Sequence, residues 1–268
     1  MLIFMYICDM SRPVILVTND DGIISPGIRA LVEVMTKFGD VTVVAPDSPQ
    51  SGMGHAITIH DPLRLQKVDV FNDLQVPAYQ CSGTPVDCVK IAIDKILRRK
   101  PDLCVSGINH GSNASINVIY SGTMSAAMEA AIDGIPAIGF SLLDFAFDAD
   151  FSAAQVYVER IVRNMMNTGL TRDALLNVNF PKLPLAEIKG MKICRQANAK
   201  WEEEFDERRD PSGKNYYWLT GKFVNHDQGE DTDAWALENG YVSIVPVQFD
   251  LTHHHAISFL NQNWNLQD

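Results

Sequence analysis

Positive charge is scarce: 22 lysines and arginines face 33 aspartates and glutamates, a formal net charge of −11 over 268 residues. A surface of that sign repels phosphodiester backbones, so no nucleic-acid polymer is expected as the partner. A small anionic substrate is not, because a bound cation reverses the field inside one pocket. Cysteine is sparse as well. The five (Cys8, Cys81, Cys88, Cys104 and Cys194) are odd in number and form no C-x-x-C pair. They read as small buried thiols in a reducing cytoplasm, not as a disulfide or zinc framework. The opening stretch "MLIFMYICDM" lacks the basic flank and cleavage site of a secretory signal and is too short to span a bilayer. Residues 1–12 read as an extension, and no membrane association is expected. Also missing are a P-loop, a dinucleotide G-x-G-x-x-G after the first strand, a G-x-S-x-G elbow and an H-E-x-x-H pair. Triphosphate hydrolysis by a P-loop, NAD binding, serine hydrolysis and a zincin site are thereby disfavoured. There is no internal repeat and no low-complexity linker.

What is present is an alternation of strand and helix. "PVILVT" (13–18) and "VTVVAP" (41–46) are short aliphatic runs. Between them, Ile28, Leu31, Val32 and Met35 recur at helical spacing, from Pro26 to a closing Gly39. Further on, 85–100, 121–134 and 150–169 read as helices, and 101–107, 135–142 and 174–181 as strands. Strands apolar for most of their length, alternating with helices, predict a three-layer α/β fold: a mostly parallel sheet covered on both faces. Past residue 182 the rhythm breaks. "EEEFDERRD" (202–210) reads as a solvated loop or hairpin arm, "NYYWLTG" as a strand, "DTDAWALENG" as a capped helix and "YVSIVPV" as a strand. The last stretch, "HHHAISFLNQNW", reads as a helix or an arm. One domain over 13–268 is the economical division, with 182–268 as its irregular part.

The polar residues gather where such a sheet binds ligands, outside the carboxyl ends of its strands. "TNDDG" follows the first strand, "APDSPQSGMGH" the second, and "INHGSNAS" the strand at 101–107. Three loops are expected to bring Asn19, Asp20, Asp21, Ser51, Asn109 and Asn113 to one rim. Adjacent carboxylates repel unless one protonates or a cation lies between them, and oxygen donors of this kind suit Mg²⁺, Mn²⁺ or Ca²⁺. Asn-Asp-Asp-Gly is equally good turn chemistry. "YSGTMSAAMEAA" opens an apolar helix on Ser121, Gly122 and Thr123. Its free N–H groups suit either a bound phosphate or an ordinary N-cap.

Five stretches in register, "ILVTNDDGIISPGIRAL", "VVAPDSPQSGMGHAIT", "GTPVDCVKIAI", "PDLCVSGINHGSN" and "VIYSGTMSAAMEA", resemble the motifs of the stationary-phase survival protein SurE family. That resemblance implies a divalent-metal-dependent phosphatase of nucleoside 5′-monophosphates with a Rossmann-like fold. It also implies a protruding hairpin and a C-terminal arm, within 182–268, that joins subunits into a homodimer or homotetramer. Position by position, it implies that Asp20, Asp21, Ser51 and Asn109 hold one cation per subunit. Asp20, Asp21 and Asn109 would serve catalysis, while Ser51, Gly52, Asn113, Ser121, Gly122 and Thr123 line the phosphate pocket. Asp20 is expected to take the proton of the attacking water. An aspartyl-phosphate route is disfavoured, because it needs Asp-x-Asp and this pair is adjacent. A non-catalytic Mg-nucleotide sensor and a metal-dependent nucleoside hydrolase are the alternatives. The chain departs from the family at "ASIN" (114–117) and at His110, the latter expected as an exposed rim histidine. His253, His254 and His255 splay apart on a helix and, with Asp250, fit interface packing better than a second metal site.

Overall fold

A computed structural model describes residues 12–171 and 173–265; the extension expected at 1–12 lies almost wholly outside them. The elements run β1 (Val14–Thr18), α1 (Pro26–Met35), β2 (Asp40–Pro46), β3 (Leu65–Val68), β4 (Ala78–Cys81) and α2 (Pro85–Ile91). Then come β5 (Leu103–His110), α3 (Asn117–Tyr120), α4 (Gly122–Ile132), β6 (Ala137–Leu142), α5 (Ser152–Thr168) and β7 (Ala174–Phe180). The remainder comprises β8 (Met191–Ile193), β9 (Ala199–Arg209), β10 (Asn215–Asn225), α6 (Asp233–Glu238), β11 (Val242–Gln248) and α7 (His254–Asn263).

Among the described residues, nine strands form one sheet in the order β3-β4-β2-β1-β5-β6-β7-β11-β8. The six pairings β4–β2, β2–β1, β1–β5, β5–β6, β6–β7 and β11–β8 are parallel, while β3–β4 and β7–β11 are antiparallel. The three-layer α/β reading of the sequence is the fold observed. Alternate side chains of one strand enter opposite layers, as the pleat requires. Ile15 and Val17 join Ile28, Leu31 and Val158 on one face, whereas Leu16 joins Val44, Cys88 and Met124 on the other. The chain leaves β1 toward β2 on one side and β5 lies on the other, so the order reverses between β1 and β5. That reversal opens the crevice in which doubly wound sheets bind ligands. Gly27 fits it locally: a Cβ there would stand 1.9 Å from the Ile108 carbonyl oxygen, so only glycine lets α1 press against the end of β5.

Several boundaries differ from the sequence reading. The helix expected over 85–100 is α-helical only to Ile91, and a π-helical stretch follows over Ala92–Leu97. The strand expected to end at 107 continues to His110 through a register shift between Ser106 and Asn109 against β6. Asn109 therefore stands on the strand's irregular end, not in the loop beyond it. The antiparallel pair β3–β4 was not legible, because four-residue strands such as "LQKV" carry no sustained apolar pattern. The charge run at 202–210 lies mostly in β9, which pairs with β10 in a separate two-stranded hairpin. The final helix α7 carries no buried residue. Among the described residues, no helix is long and apolar enough to cross a membrane.

Candidate active site

Asn19 is fully buried, and its amide nitrogen donates to Gly22 O and Ser25 Oγ, both at 2.9 Å. It fastens the turn after β1 from inside instead of facing the rim. The next two carboxylates are anchored by different elements, Asp20 by α4 and Asp21 by β5. Asp20, 4% exposed, accepts a hydrogen bond from Thr123 Oγ1 at the first turn of α4. Gly122 makes that approach possible, since a Cβ on it would meet Asp20 Cβ at 2.8 Å and Oδ2 at 2.9 Å. The N-terminus of α4 thus holds a protein carboxylate against its free N–H groups, where the macrodipole favours negative charge. Ser121 caps the helix, its Oγ accepting from Met124 N at 3.0 Å. Burial nevertheless pushes the Asp20 carboxyl up from 3.8 to about 6, with the Asp21 charge as the second cause and Thr123 opposing both.

Asp21 is held from the neighbouring strand. Its Oδ2 accepts from the His110 backbone N–H at 3.0 Å and lies 2.9 Å from His110 Nδ1. The exposed rim histidine of the sequence reading is corrected here. The His110 side chain is 12% exposed, packs edge-on to Phe151 at 5.1 Å between ring centroids, and leaves Nε2 buried with no partner among the described residues. No spacing rule joins residue 110 to residue 21; the β1–β5 pairing does. Beside it, Asn109 spends its amide nitrogen on the carbonyl oxygens of His110 (3.2 Å) and Gly111 (2.9 Å), so its Oδ1 is the atom left to act as a donor to a cation.

Ser51 and Gly52 lie on the exposed loop after β2. Gln50 N donates to Asp20 O at 2.7 Å, which places that loop against the first. Two carboxylates brace its far end. Asp87 accepts from the N–H and Oγ1 of Thr58 and from Thr84 in a capping box at the start of α2. Glu129, buried on α4, binds His55 at 2.9 Å and also Lys90. The Thr84–Asp87 spacing is a capping-box signal that the sequence carried. Asn113 donates its side-chain amide to Ser141 Oγ (2.7 Å), and its backbone is bound by Asn177 and Asn179 of β7. Its N–H groups are thus partly committed inside the protein.

One cavity of about 740 Å³ collects these groups. Asp20, Ser51, Gly52, Asn109, Asn113 and Ser121 line it; Asp21, Gly122 and Thr123 stand behind that lining. Among the described residues, no cluster of three or more His, Cys, Asp or Glu side chains is arranged to hold a metal. A cation here would draw on two carboxylates, completed by the Asn109 amide oxygen, the Ser51 hydroxyl and water. That is a hard-oxygen set suited to Mg²⁺ or Mn²⁺ and ill suited to a thiolate or multi-histidine zinc site. A buried carboxylate, Asp20, beside the partly buried Asp21 whose charge repels its own, fits such an ion.

The model of the family described as survival protein SurE matches residues 15–203. The chain belongs to the SurE family. It is 65% identical over 257 residues to a protein of Flavobacterium psychrophilum named 5′-nucleotidase SurE, covering 96% of this chain and 99% of that one. A Christiangramia forsetii protein of the same name is 66% identical, with 96% and 98% covered. The crystal structure of the SurE protein from Aquifex aeolicus superposes with a TM-score of 0.81 at 41% identity, covering 93% of this chain and 99% of that one. Membership makes this chain an enzyme of the nucleotidase and phosphatase type.

Proposed function

We propose that this SurE-family enzyme hydrolyses nucleoside 5′-monophosphates to nucleoside and inorganic phosphate with the help of a divalent cation held by Asp20, Asp21, Ser51 and Asn109. The observation that carries the reading is Asp20. It is a buried carboxylate lining the cavity, fixed to a helix N-terminus and held in an environment that disfavours its charge. The names of the relatives supply the substrate class. When bound, such a cation supplies charge to a phosphoryl oxygen and acidifies an attacking water.

The chain's own residues do the rest. Thr123 and the α4 terminus hold Asp20 at the cavity wall, where its carboxylate takes the proton of the attacking water. His110 steers Asp21 from behind. Ser51, Gly52, Asn113 and Ser121 line the space for the phosphoryl group, whose spreading charge needs preorganised donors. Gly122 and Thr123 contribute by seating Asp20. A barrier reduction on the order of 20 kcal/mol is required for monoester hydrolysis, more than any one group supplies.

The hairpin, the segment after β11 and α7 expose Phe205, Trp218, Leu219, Leu251 and Phe259, which supports subunit pairing through the arm at 182–268 as a homodimer or homotetramer. Buried free thiols at Cys81, Cys88, Cys104 and Cys194 support a cytoplasmic setting. The test is phosphate release from a panel of nucleoside monophosphates with Mg²⁺, Mn²⁺ or Ca²⁺, with and without EDTA. Release that EDTA abolishes and added cation restores is expected. Binding without turnover would favour a sensor, and free base as product a nucleoside hydrolase.

A further inference from the structure

The cavity has a second chemistry in its lining. Besides the polar groups, it is lined by Trp201 of β9, Phe223 of β10 and Tyr120 of α3. Trp201 and Phe223 are directly opposed in the hairpin register, and their rings meet edge-on at 5.6 Å. The indole Nε1–H donates to Asn117 Oδ1 at 2.8 Å. A hydrogen bond on one edge and a ring against it fix the orientation of the indole, yet Trp201 remains 45% exposed. It also borders an adjoining cavity of about 520 Å³, sharing Tyr120 and Gly52 between the two. A large aromatic side chain held rigid but left half open is suited to receive a flat π-system.

Resting on the reading of this cavity as a nucleotide site, we propose that Trp201, locked in place by Asn117, is the stacking platform for the nucleobase. Asn117 closes the "ASIN" segment and opens α3, so the residue that aims the indole stands on the element that also carries Tyr120. Trp201 sits at the base of the hairpin beside the cavity, whereas Phe205 and Leu219 pair four residues farther out. Base recognition and subunit contact are thereby separated along one hairpin. Stacking on an aromatic side chain tolerates any base, so selection for nucleotides over base-less esters is expected, with modest discrimination among bases.

The experiment compares a nucleoside 5′-monophosphate with ribose 5-phosphate, which lacks the base, in wild type, Trp201→Ala, Trp201→Phe, Asn117→Ala and Asn117→Asp. The ratio of kcat/KM for nucleotide over ribose phosphate is expected to fall about ten- to a hundredfold in Trp201→Ala, mainly through KM. Trp201→Phe should restore most of it. Asn117→Ala should fall between, with Asn117→Asp, which keeps an acceptor, near wild type. Light scattering should show the oligomeric state unchanged. Equal loss on both substrates, or an unchanged ratio, overturns the proposal. A separate binding arm measures quenching of the fluorescence lost in Trp201→Phe as adenosine is added. Quenching in a protein that releases no phosphate would leave the base site standing while refuting the nucleotidase reading; absent quenching refutes the base site itself.

Discussion

Among single residues, the adjacent carboxylates Asp20 and Asp21 weigh most. In the cation-free protein the folded-state carboxyl of Asp20 sits at about 6 against its ordinary 3.8. Between those values the folded chain holds a proton that the unfolded chain has lost, so stability falls as pH rises through the window. The full cost above it is about 3 kcal/mol. Asp20→Asn is therefore expected to abolish phosphate release, by a factor on the order of a thousand or more, while raising or preserving the stability of the cation-free protein at pH 7. Parallel assays of turnover and urea unfolding check this; a variant that is both inactive and destabilised at pH 7 contradicts it. Cation affinity should weaken below about pH 6 as Asp20 protonates. Gly122→Ala forces its new methyl into Asp20 at under 3 Å. A loss of about 1–3 kcal/mol is expected on thermal unfolding, together with reduced activity. Asp20 was legible in the sequence because a strand end, a polar cluster and a turn coincide there. The partners of Asp21 were not, because His110 is brought to it by sheet pairing and buried by Phe151, a contact only the folded chain creates.

At the scale of elements, the loop bearing Ser51 is a braced arm and not a free one. Asp87 at the start of α2 binds Thr58 and Thr84 at once, and Glu129 on α4 binds His55. Asp87→Ala removes the capping box and leaves the Thr58 N–H without its acceptor. A cost of about 1–3 kcal/mol is expected, with faster hydrogen exchange across residues 51–60. Wild-type exchange in that loop would contradict the bracing role. Helices and central strands were readable from their periodicity: Ile28, Leu31, Val32 and Met35 all enter the core. The irregularity that matters most was not. Nothing in "VSGINHGSN" announces the register shift between Ser106 and Asn109, because it exists only in the pairing of β5 with β6.

At the scale of the whole molecule, a buried three-layer core carries two projections that bury little of themselves. The hairpin β9–β10 and the C-terminal segment that leads into α7 expose aromatic and aliphatic side chains, with Leu251 just before that helix 93% exposed. Exposed apolar side chains in such number are the expected seat of the proposed subunit contact. Removal of residues 249–268 should lower the oligomeric state seen by sedimentation velocity, and an unchanged sedimentation coefficient per subunit would place the interface elsewhere. The position of the hairpin against the active-site cavity was not legible, because Trp201 reaches Asn117 only after the chain has folded back across 84 residues.

The measurement closest to the central claim is a calorimetric titration of Mn²⁺ into the purified full-length protein at neutral pH, repeated with Asp20→Asn and Asn109→Ala. One saturable site per chain is predicted for the native protein, lost in the first variant and weakened in the second. A native protein that binds no divalent cation, or variants that bind it as tightly as wild type, would contradict the site.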